Sequence, residues 1–245
     1  VIGVSFHEHS IKTAKKIKAI DSGSVDIKII RDADLVILAA PVAAILRLAP
    51  LIARIIKKDC IVTDVGSTKV EIVFQLEKLF PNYIGSHPLA GSEKRSVSNA
   101  CPELFQDSLC LLTPTKRTKP FVVRIVKDFW TKLGAKVSFI SPAFHDKVLS
   151  FVSHLPHVSA FSLISIIPGQ YLKFAAGGLR DTTRIAASDS ELWADIFLSN
   201  PENVIKAIDL YKARLCAIQS AIKERDRKRL KGILNQAQKK RDMLI

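Results

Sequence analysis

The stretch CIVTDVGSTKVEIVFQLEKLF, residues 60–80, decides the fold class. Its first residues are apolar or β-branched and predict a buried strand that ends at Asp64. Gly66 follows as a turn residue, and the hydroxyl pair Ser67-Thr68 can cap the backbone donors of the helix that begins next. A buried strand that runs through a capped turn into a helix is the building unit of a parallel α/β sheet.

The same unit recurs between residue 1 and about residue 140, where short apolar runs alternate with helical periodicity. The predicted strands are Val1–Ser5, Leu35–Ala39, Cys60–Asp64, Tyr83–Ser86, Leu109–Thr113 and Lys136–Ile140. The predicted helices between them are Ser10–Ile20, Val42–Lys57, Lys69–Leu79 and Pro120–Leu133. We therefore predict an α/β domain over residues 1–141.

After Ser141-Pro142 the strand pattern stops, and every later segment is predicted to be helical. These helices are His145–Ile167, Tyr171–Ala176, Ser190–Leu198, Pro201–Lys223 and Asp226–Leu244. Residues 142–245 are accordingly predicted to form a second, all-helical domain.

The carboxyl ends of parallel strands are the first places to search for a ligand. Ala40 and Pro41 follow one predicted strand, and Asp64 and Gly66 end the next. These four residues are our first candidates for binding a cofactor.

Composition narrows the classes of protein. The chain has 245 residues, 48% hydrophobic and 24% charged, and no apolar run reaches the roughly 18 residues of a membrane span. We therefore expect a globular protein without membrane insertion. Four cysteines without C-x-x-C spacing favour a reducing compartment over secretion. The net charge of +14 favours a polyanionic partner, which leaves nucleic acid, a phosphorylated cofactor and a carboxylate-rich substrate open.

The stretch GSHPLAGSEK, residues 85–94, places an imidazole, hydroxyls, a carboxylate and an ammonium within a few positions at a strand end. Catalytic groups are concentrated on loops of this kind. A lone histidine is more often structural, but these neighbours make His87 and Ser92 candidate site residues.

A second group of histidines follows in the helical part, where His145-Asp146 precedes SHLPH, residues 153–157. On a helix His154 and His157 share one face, and Ser153 lies one turn before His157. The pair could ligate zinc, but H-E-x-x-H spacing is absent and no cysteine is close in sequence, so we predict no metal.

The stretch GGLRDTTRIA, residues 177–186, spaces Arg180 and Arg184 four apart with Asp181 between them. A guanidinium is the preferred partner for a planar carboxylate, so the pair could bind an acidic substrate. An exposed set of ion pairs explains the spacing equally well.

Together these stretches resemble the prephenate/arogenate dehydrogenase family of tyrosine biosynthesis, from residue 1 to about residue 220. The motifs that carry the resemblance are DVGSTK (64–69), GSHPLAGSEK (85–94), SHLPH (153–157) and GGLRDTTRIAASDSELWADIF (177–197). The resemblance implies a Rossmann-type dinucleotide-binding domain followed by a helical domain that forms a homodimer and completes the active site. It also implies the oxidative decarboxylation of a cyclohexadienol that bears a ring carboxylate, without a metal.

The resemblance also implies a role for each candidate residue. His87 is the base that draws off the hydroxyl proton, and Ser67 orients it. Arg184 binds the ring carboxylate and is positioned by Asp181. The further predicted substrate contacts are His157, Ser92, Ser153 and Arg180.

One part of the family pattern is absent, since no two glycines stand in G-x-G spacing. The run at residues 1–5 matches the family's second strand, so we expect an N-terminally truncated dinucleotide-binding domain that binds dinucleotide poorly by itself. At the position of the usual ribose-binding carboxylate stands Ser5, with His7 close by, which favours NADP over NAD. Glu8 would favour NAD if the register were shifted.

Several alternatives remain open. A homologue that has lost cofactor binding, and binds the substrate or a partner without catalysis, is the second hypothesis. A nucleic-acid binder is distant, because the basic tail at residues 223–241 contains no aromatic residue to stack on bases. The substrate can be prephenate or arogenate. We expect a cytoplasmic location.

Overall fold

The computed structural model describes residues 1–90 and 97–244. The strands are β1 (Ile2–Val4), β2 (Ser22–Ser24), β3 (Leu35–Leu38), β4 (Ile61–Asp64), β5 (Tyr83–Pro88), β6 (Leu109–Thr113) and β7 (Lys136–Phe139). Strands β1 and β2 form a parallel pair of their own. The other five form a sheet of order β3-β4-β5-β6-β7, which is parallel throughout except between β5 and β6.

The described α-helices are α1 (Glu8–Lys16), α2 (Val42–Ala53), α3 (Val70–Leu79), α4 (Pro120–Lys132), α5 (Pro142–Leu149), α6 (Leu155–Ser165), α7 (Gly177–Thr183), α8 (Ser190–Leu198), α9 (Pro201–Lys223) and α10 (Arg227–Asp242). Short 3₁₀ turns occur at Ile27–Ile30, Val97–Asn99, Pro102–Phe105, Gly169–Phe174 and Arg184–Ala187, and a π-helical turn joins α5 to α6 at Ser150–His154.

The five-stranded sheet is covered on both faces, as parallel sheets require. Side chains alternate along a strand, so the neighbours Ile61 and Val62 on β4 belong to different cores. Val62 packs with α2 and α3, whereas Ile61 lies with α4, whose Trp130 is 2% exposed. The predicted α/β class is therefore confirmed, with a sheet buried between two helical layers.

Several local features differ from the sequence-based expectations. The helix predicted at residues 171–176 is mostly the 3₁₀ turn Gly169–Phe174, and α7 (Gly177–Thr183) was not predicted. Strand β2 was not predicted, because its three residues, Ser22–Ser24, are small or polar and carry no hydrophobic pattern. The helix predicted at residues 145–167 is interrupted by the π-helical turn. Pro156, at the start of α6, explains the interruption, since it has no N–H for the carbonyl four residues earlier and its ring crowds that carbonyl.

The chain divides into two compact units, residues 1–200 and residues 201–245. The first unit includes α5 because Asp146 on that helix accepts hydrogen bonds from the backbone N–H groups of Lys69 and Val70. The second unit consists of α9 and α10, and Asp226 caps the start of α10 by accepting from the Arg229 N–H. The predicted domain boundary at residues 141–142 stays a prediction.

The helical run 142–165 is long and apolar enough, by length and composition, to cross a membrane. The run is not an uninterrupted apolar stretch of the kind considered in the sequence analysis, because it contains His145, Asp146 and Lys147. The run owes its apolar character to residues such as Phe144, Phe151 and Val152, which are exposed, but it also carries the buried polar residues His145 and Asp146.

Candidate active site

The loop between β4 and α3 is held by a buried carboxylate. Asp64 accepts hydrogen bonds from the Gly66 N–H at 2.8 Å and from the Tyr83 hydroxyl at 2.7 Å, and it forms a buried ion pair with Lys69. Asp64 and Lys69 are both 0% exposed, so each charge depends on the other for compensation. Because its oxygens are occupied by these groups, Asp64 can act on a cofactor through the loop that it shapes.

Gly66 is required by close packing in this loop. A Cβ atom at this position would lie 2.5 Å from the Ile72 side chain and 3.0 Å from the Asp64 carboxylate. At Gly66 the loop therefore approaches α3 more closely than a residue with a side chain would allow. Ser67 is the next residue of the same loop.

His87 lies on β5, next to the parallel strand β4 on one side and the antiparallel strand β6 on the other. Its Nδ1 lies 2.9 Å from Nε2 of His145, and the two ring centroids are 5.1 Å apart. The imidazole of His87 is thus oriented by a second imidazole, on α5. Ser67, which was predicted to orient His87, lines the same cavity.

His145 is in turn held by Asp146. Its Nδ1 lies 2.8 Å from Asp146 Oδ1, and the carboxylate also accepts from Lys69 N–H at 2.7 Å and Val70 N–H at 2.9 Å. These two N–H groups belong to the N-cap and first residue of α3, and backbone donors at a helix N-terminus favour a negative charge. The carboxylate therefore joins α3 to α5 behind His87.

The π-helical turn and α6 supply the opposite side of the site. The Nδ1–H of His157 donates a hydrogen bond to the Ser153 carbonyl oxygen at 2.9 Å, because a carbonyl can only accept. The His157 ring stacks on Trp193 of α8, with centroids 3.4 Å apart. His154 is 1% exposed, and its Nδ1 lies 3.4 Å from the Asn200 amide nitrogen.

These elements enclose a cavity of about 510 Å³, a size suited to a small organic ligand. The polar and aromatic side chains that line it come from the β4–α3 loop, β5, the π-helical turn, α6, the 3₁₀ turn after α7, and α8. They are Ser67, His87, Ser153, His154, His157, Arg184, Ser188, Asp189 and Trp193.

The histidines of the cavity are held in the neutral form. Burial lowers the pKa of His87 well below its usual value, and the neighbouring Lys69 charge lowers it further. Burial also lowers the pKa of His154 to about 4. The pKa of His157 is lowered by burial and, in addition, by the nearby charge of Arg184. A neutral imidazole can accept a proton, so the cavity offers bases at neutral pH.

The structure brings together most of the predicted catalytic and substrate residues, but not all of them. His87, Ser67, Ser153, His157 and Arg184 line one cavity. Arg180 and Asp181 are exposed on α7 and do not belong to its lining within the described chain. Ser92 lies outside the described residues.

Four of the predicted cofactor residues follow the carboxyl ends of strands β1 and β3. Ser5 and His7 stand between β1 and α1, and Ala40 and Pro41 between β3 and α2. No side-chain hydrogen bond caps the N-terminus of α1 or α2. Among the described residues no group of three or more histidine, cysteine or acidic side chains could hold a metal ion.

The sequence reasoning assigned no role to His145, Asp146, Lys69 or Trp193. The dipeptide His145-Asp146 could be seen in the sequence, but the groups that contact it are far away along the chain. His87 lies 58 residues before His145, and Lys69 lies 77 residues before Asp146. Trp193 was part of a quoted motif, yet only the fold shows that it stacks on His157.

An α/β sheet followed by helices, with a cavity at the strand ends that is lined by imidazoles, is an architecture that nicotinamide-dependent dehydrogenases use. Residues 1–139 match the family described as "Prephenate dehydrogenase, nucleotide-binding domain", and residues 141–236 match "Prephenate dehydrogenase, dimerization domain". The chain belongs to the prephenate dehydrogenase family.

Individual relatives agree with this membership. The chain is 38% identical over 221 residues to a cyclohexadienyl dehydrogenase of Zymomonas mobilis, covering 86% of this chain and 75% of the relative. It is 32% identical to a prephenate dehydrogenase of Bacillus subtilis, covering 100% and 69% of the two chains.

Solved structures are similar over the whole chain. A prephenate dehydrogenase of Aquifex aeolicus in complex with hydroxyphenyl propionate and NAD+ superposes with a TM-score of 0.94 at 35% identity, covering 100% of this chain and 88% of the other. The Synechocystis arogenate dehydrogenase superposes with a TM-score of 0.85 at 27% identity, covering 100% and 91%.

Proposed function

We propose that the chain catalyses the oxidative decarboxylation of prephenate or arogenate, to 4-hydroxyphenylpyruvate or tyrosine, in tyrosine biosynthesis. The observation that carries the proposal is the neutral imidazole of His87, which lines a cavity shared with the cationic Arg184. A base and a guanidinium facing one space match a substrate with a hydroxyl to deprotonate and a carboxylate to bind.

His87 removes the proton of the ring hydroxyl, since a hydroxyl carbon releases hydride readily only as the O–H bond is broken. A nicotinamide dinucleotide, when bound, accepts that hydride. The ring carboxylate leaves as carbon dioxide, and its electron pair makes the ring aromatic. The protein's main task is to hold the reacting atoms in line, because aromatisation drives the step.

Arg184 binds the ring carboxylate in this proposal. Ser67 is proposed to orient His87, whereas Ser153 and His157 contact the rest of the substrate and Ser92 is a further contact. Arg180 and Asp181 are proposed to act from α7, with Asp181 positioning Arg184. The family membership and the shared cavity support the roles of Arg184, Ser67, Ser153 and His157.

We propose NADP as the preferred cofactor. Ser5, at the end of β1, accepts a hydrogen bond from the His7 N–H and carries no charge to repel a 2′-phosphate. Glu8 lies 3.9 Å from Lys12 on the exposed face of α1, which reduces its negative field. Comparing kcat/KM for NADP+ and NAD+ tests this preference, and a higher value with NAD+ contradicts it. Ser5→Asp is expected to reduce the use of NADP+ selectively.

The decisive experiment mixes the natural full-length protein with NADP+ or NAD+ and with prephenate or arogenate, one substrate at a time. It follows the absorbance of the reduced nicotinamide. We expect reduction that depends on one or both substrates and is accompanied by carbon dioxide release. Substrate binding by calorimetry without any reduction would instead favour a homologue that binds without catalysis.

We also propose that the protein is a cytoplasmic homodimer. Several large apolar side chains on the α5–α6 run are exposed, among them Phe144, Phe151 and Val152, which are 56%, 41% and 65% exposed. A second copy that covers them would remove this apolar surface from water. Free cysteines at all four positions suit a reducing compartment. Light scattering should give twice the chain mass, and a monomer at micromolar concentration contradicts the proposal.

A further inference from the structure

The pair His145 and Asp146 lies directly behind His87 and outside the lining of the cavity. His145 is 0% exposed and Asp146 is 1% exposed. Neither side chain therefore contacts the substrate in the proposed reaction, although both are buried polar groups in contact with its base. Buried polar groups are costly unless they are fully bonded, so the arrangement needs a reason.

Asp146, His145 and His87 are linked in series by hydrogen bonds, and the Asp146 carboxylate determines which atom donates in each. Asp146 Oδ1 accepts from the Lys69 N–H, and Oδ2 accepts from the Val70 N–H. Both carboxylate oxygens thus serve as acceptors for backbone donors at a helix N-terminus. His145 Nδ1, at 2.8 Å from Oδ1, must therefore carry a proton.

The same reasoning extends to His87. Burial lowers the pKa of His145, so the ring is neutral and its Nε2 has a lone pair instead of a proton. Nδ1 of His87, at 2.9 Å from that nitrogen, must then be the donor. The proton of the neutral His87 ring is thereby placed on Nδ1, and the lone pair on Nε2.

We propose that Asp146 and His145 are positioning residues that fix His87 in the tautomer with a proton on Nδ1, leaving Nε2 to accept the substrate proton. This proposal rests on the proposed role of His87 as the base. The opposite tautomer would present an N–H to the substrate and could not take up its proton. Once Nε2 is protonated, the imidazolium still donates through Nδ1 to His145, and the Asp146 charge behind it stabilises the positive ring.

The test compares two substitutions at one position. His145→Gln can place a carbonyl oxygen near the site of Nε2 and so keep an acceptor for His87, whereas His145→Leu fills similar space without one. We expect His145→Leu to lower kcat by about 10- to 100-fold with little change in KM, the scale for losing a group that orients a functional imidazole. His145→Gln should recover most of this loss, and Lys147→Gln, on the exposed side of α5, is the matched control.

Nitrogen-15 NMR of labelled histidine reads the tautomer without any assay of activity. His87→Asn identifies the signals of His87 by their disappearance. We expect a protonated Nδ1 and an unprotonated Nε2 in the wild type and in His145→Gln, and a mixture or the opposite tautomer in His145→Leu. An unchanged tautomer in folded His145→Leu overturns the proposal, as does an equal loss of kcat in both variants.

The two hypotheses fail differently. If the protein reduces no nicotinamide with either substrate but the NMR result is as expected, the proposed function fails and the positioning of His87 stands. If turnover is normal and the tautomer is insensitive to His145, the proposed function stands and the positioning role fails.

Discussion

The imidazole of His157 stacks on the indole of Trp193, with ring centroids 3.4 Å apart and 20° between the planes. The Nδ1–H of the same ring donates to the Ser153 carbonyl at 2.9 Å. Stacking fixes the ring plane, and the hydrogen bond fixes the rotation within that plane. Together they leave Nε2 of His157 as an acceptor at the cavity.

Removing the stacking partner should weaken substrate binding. We expect Trp193→Leu to raise KM by about 2- to 10-fold, the scale of an aromatic pair beyond its buried area, with a smaller change in kcat. Trp193→Phe keeps an aromatic face and should lie closer to the wild type. Steady-state kinetics measure both, and equal KM values in the wild type and Trp193→Leu contradict the role of the stack.

Replacing the proposed base should affect turnover rather than binding. We expect His87→Asn to lower kcat by about 10²- to 10⁴-fold with little change in substrate affinity, the usual scale for loss of a general base. Single-turnover kinetics combined with calorimetric substrate binding separate the two effects. Unchanged turnover in the variant would remove His87 from the mechanism.

Arg184 should matter mainly for affinity. Arg184→Gln keeps hydrogen-bond capacity but removes the charge, so we expect a loss of about 1.5–3 kcal/mol of substrate binding, as for a hydrogen bond to a charged group. KM is the measured quantity. Arg124→Gln, on the exposed face of α4, removes an equivalent charge outside the cavity and is the control. The same KM in both variants excludes Arg184 as the carboxylate anchor.

The buried His154 should make stability depend on pH. Burial lowers its pKa to about 4, so below pH 6.5 the unfolded chain binds a proton that the folded chain does not. The free energy of unfolding should therefore fall as the pH falls from about 6.5 to about 4, by about 3 kcal/mol at most from this residue. Urea unfolding at several pH values measures the slope. His154→Asn should show a shallower slope, and an identical slope contradicts the assignment.

The loop glycine should not tolerate a methyl group. We expect Gly66→Ala to destabilise the fold by about 1–3 kcal/mol, the usual cost of overpacking, because its Cβ would lie 2.5 Å from the Ile72 side chain. Gly178→Ala, where no atom lies within 4 Å of the added Cβ, is the matched control. Thermal unfolding of both variants measures the difference, and similar melting temperatures contradict this packing argument.

Hydrophobic periodicity determined most of the fold, because the periods of buried strands and amphipathic helices are written locally in the sequence. Strand β4 and helix α3 follow from residues 60–80 alone. Strand β2 escaped prediction because a parallel pairing, rather than local propensity, creates it from Ser-Gly-Ser. The π-helical turn escaped for a similar reason, since Pro156 predicts a disturbance but not the form that packing selects.

By itself the sequence determined the α/β class, the family, and His87, Ser67, His157 and Arg184 as candidate residues, because ordered motifs preserve residue type and spacing. The tertiary structure alone decided which of these residues share a cavity and which groups stand behind them. His87, His145 and the N-terminus of α3 are joined by hydrogen bonds between distant parts of the chain. Proton positions in such a chain depend on distance and on which atoms can only accept, and neither quantity is encoded in local sequence.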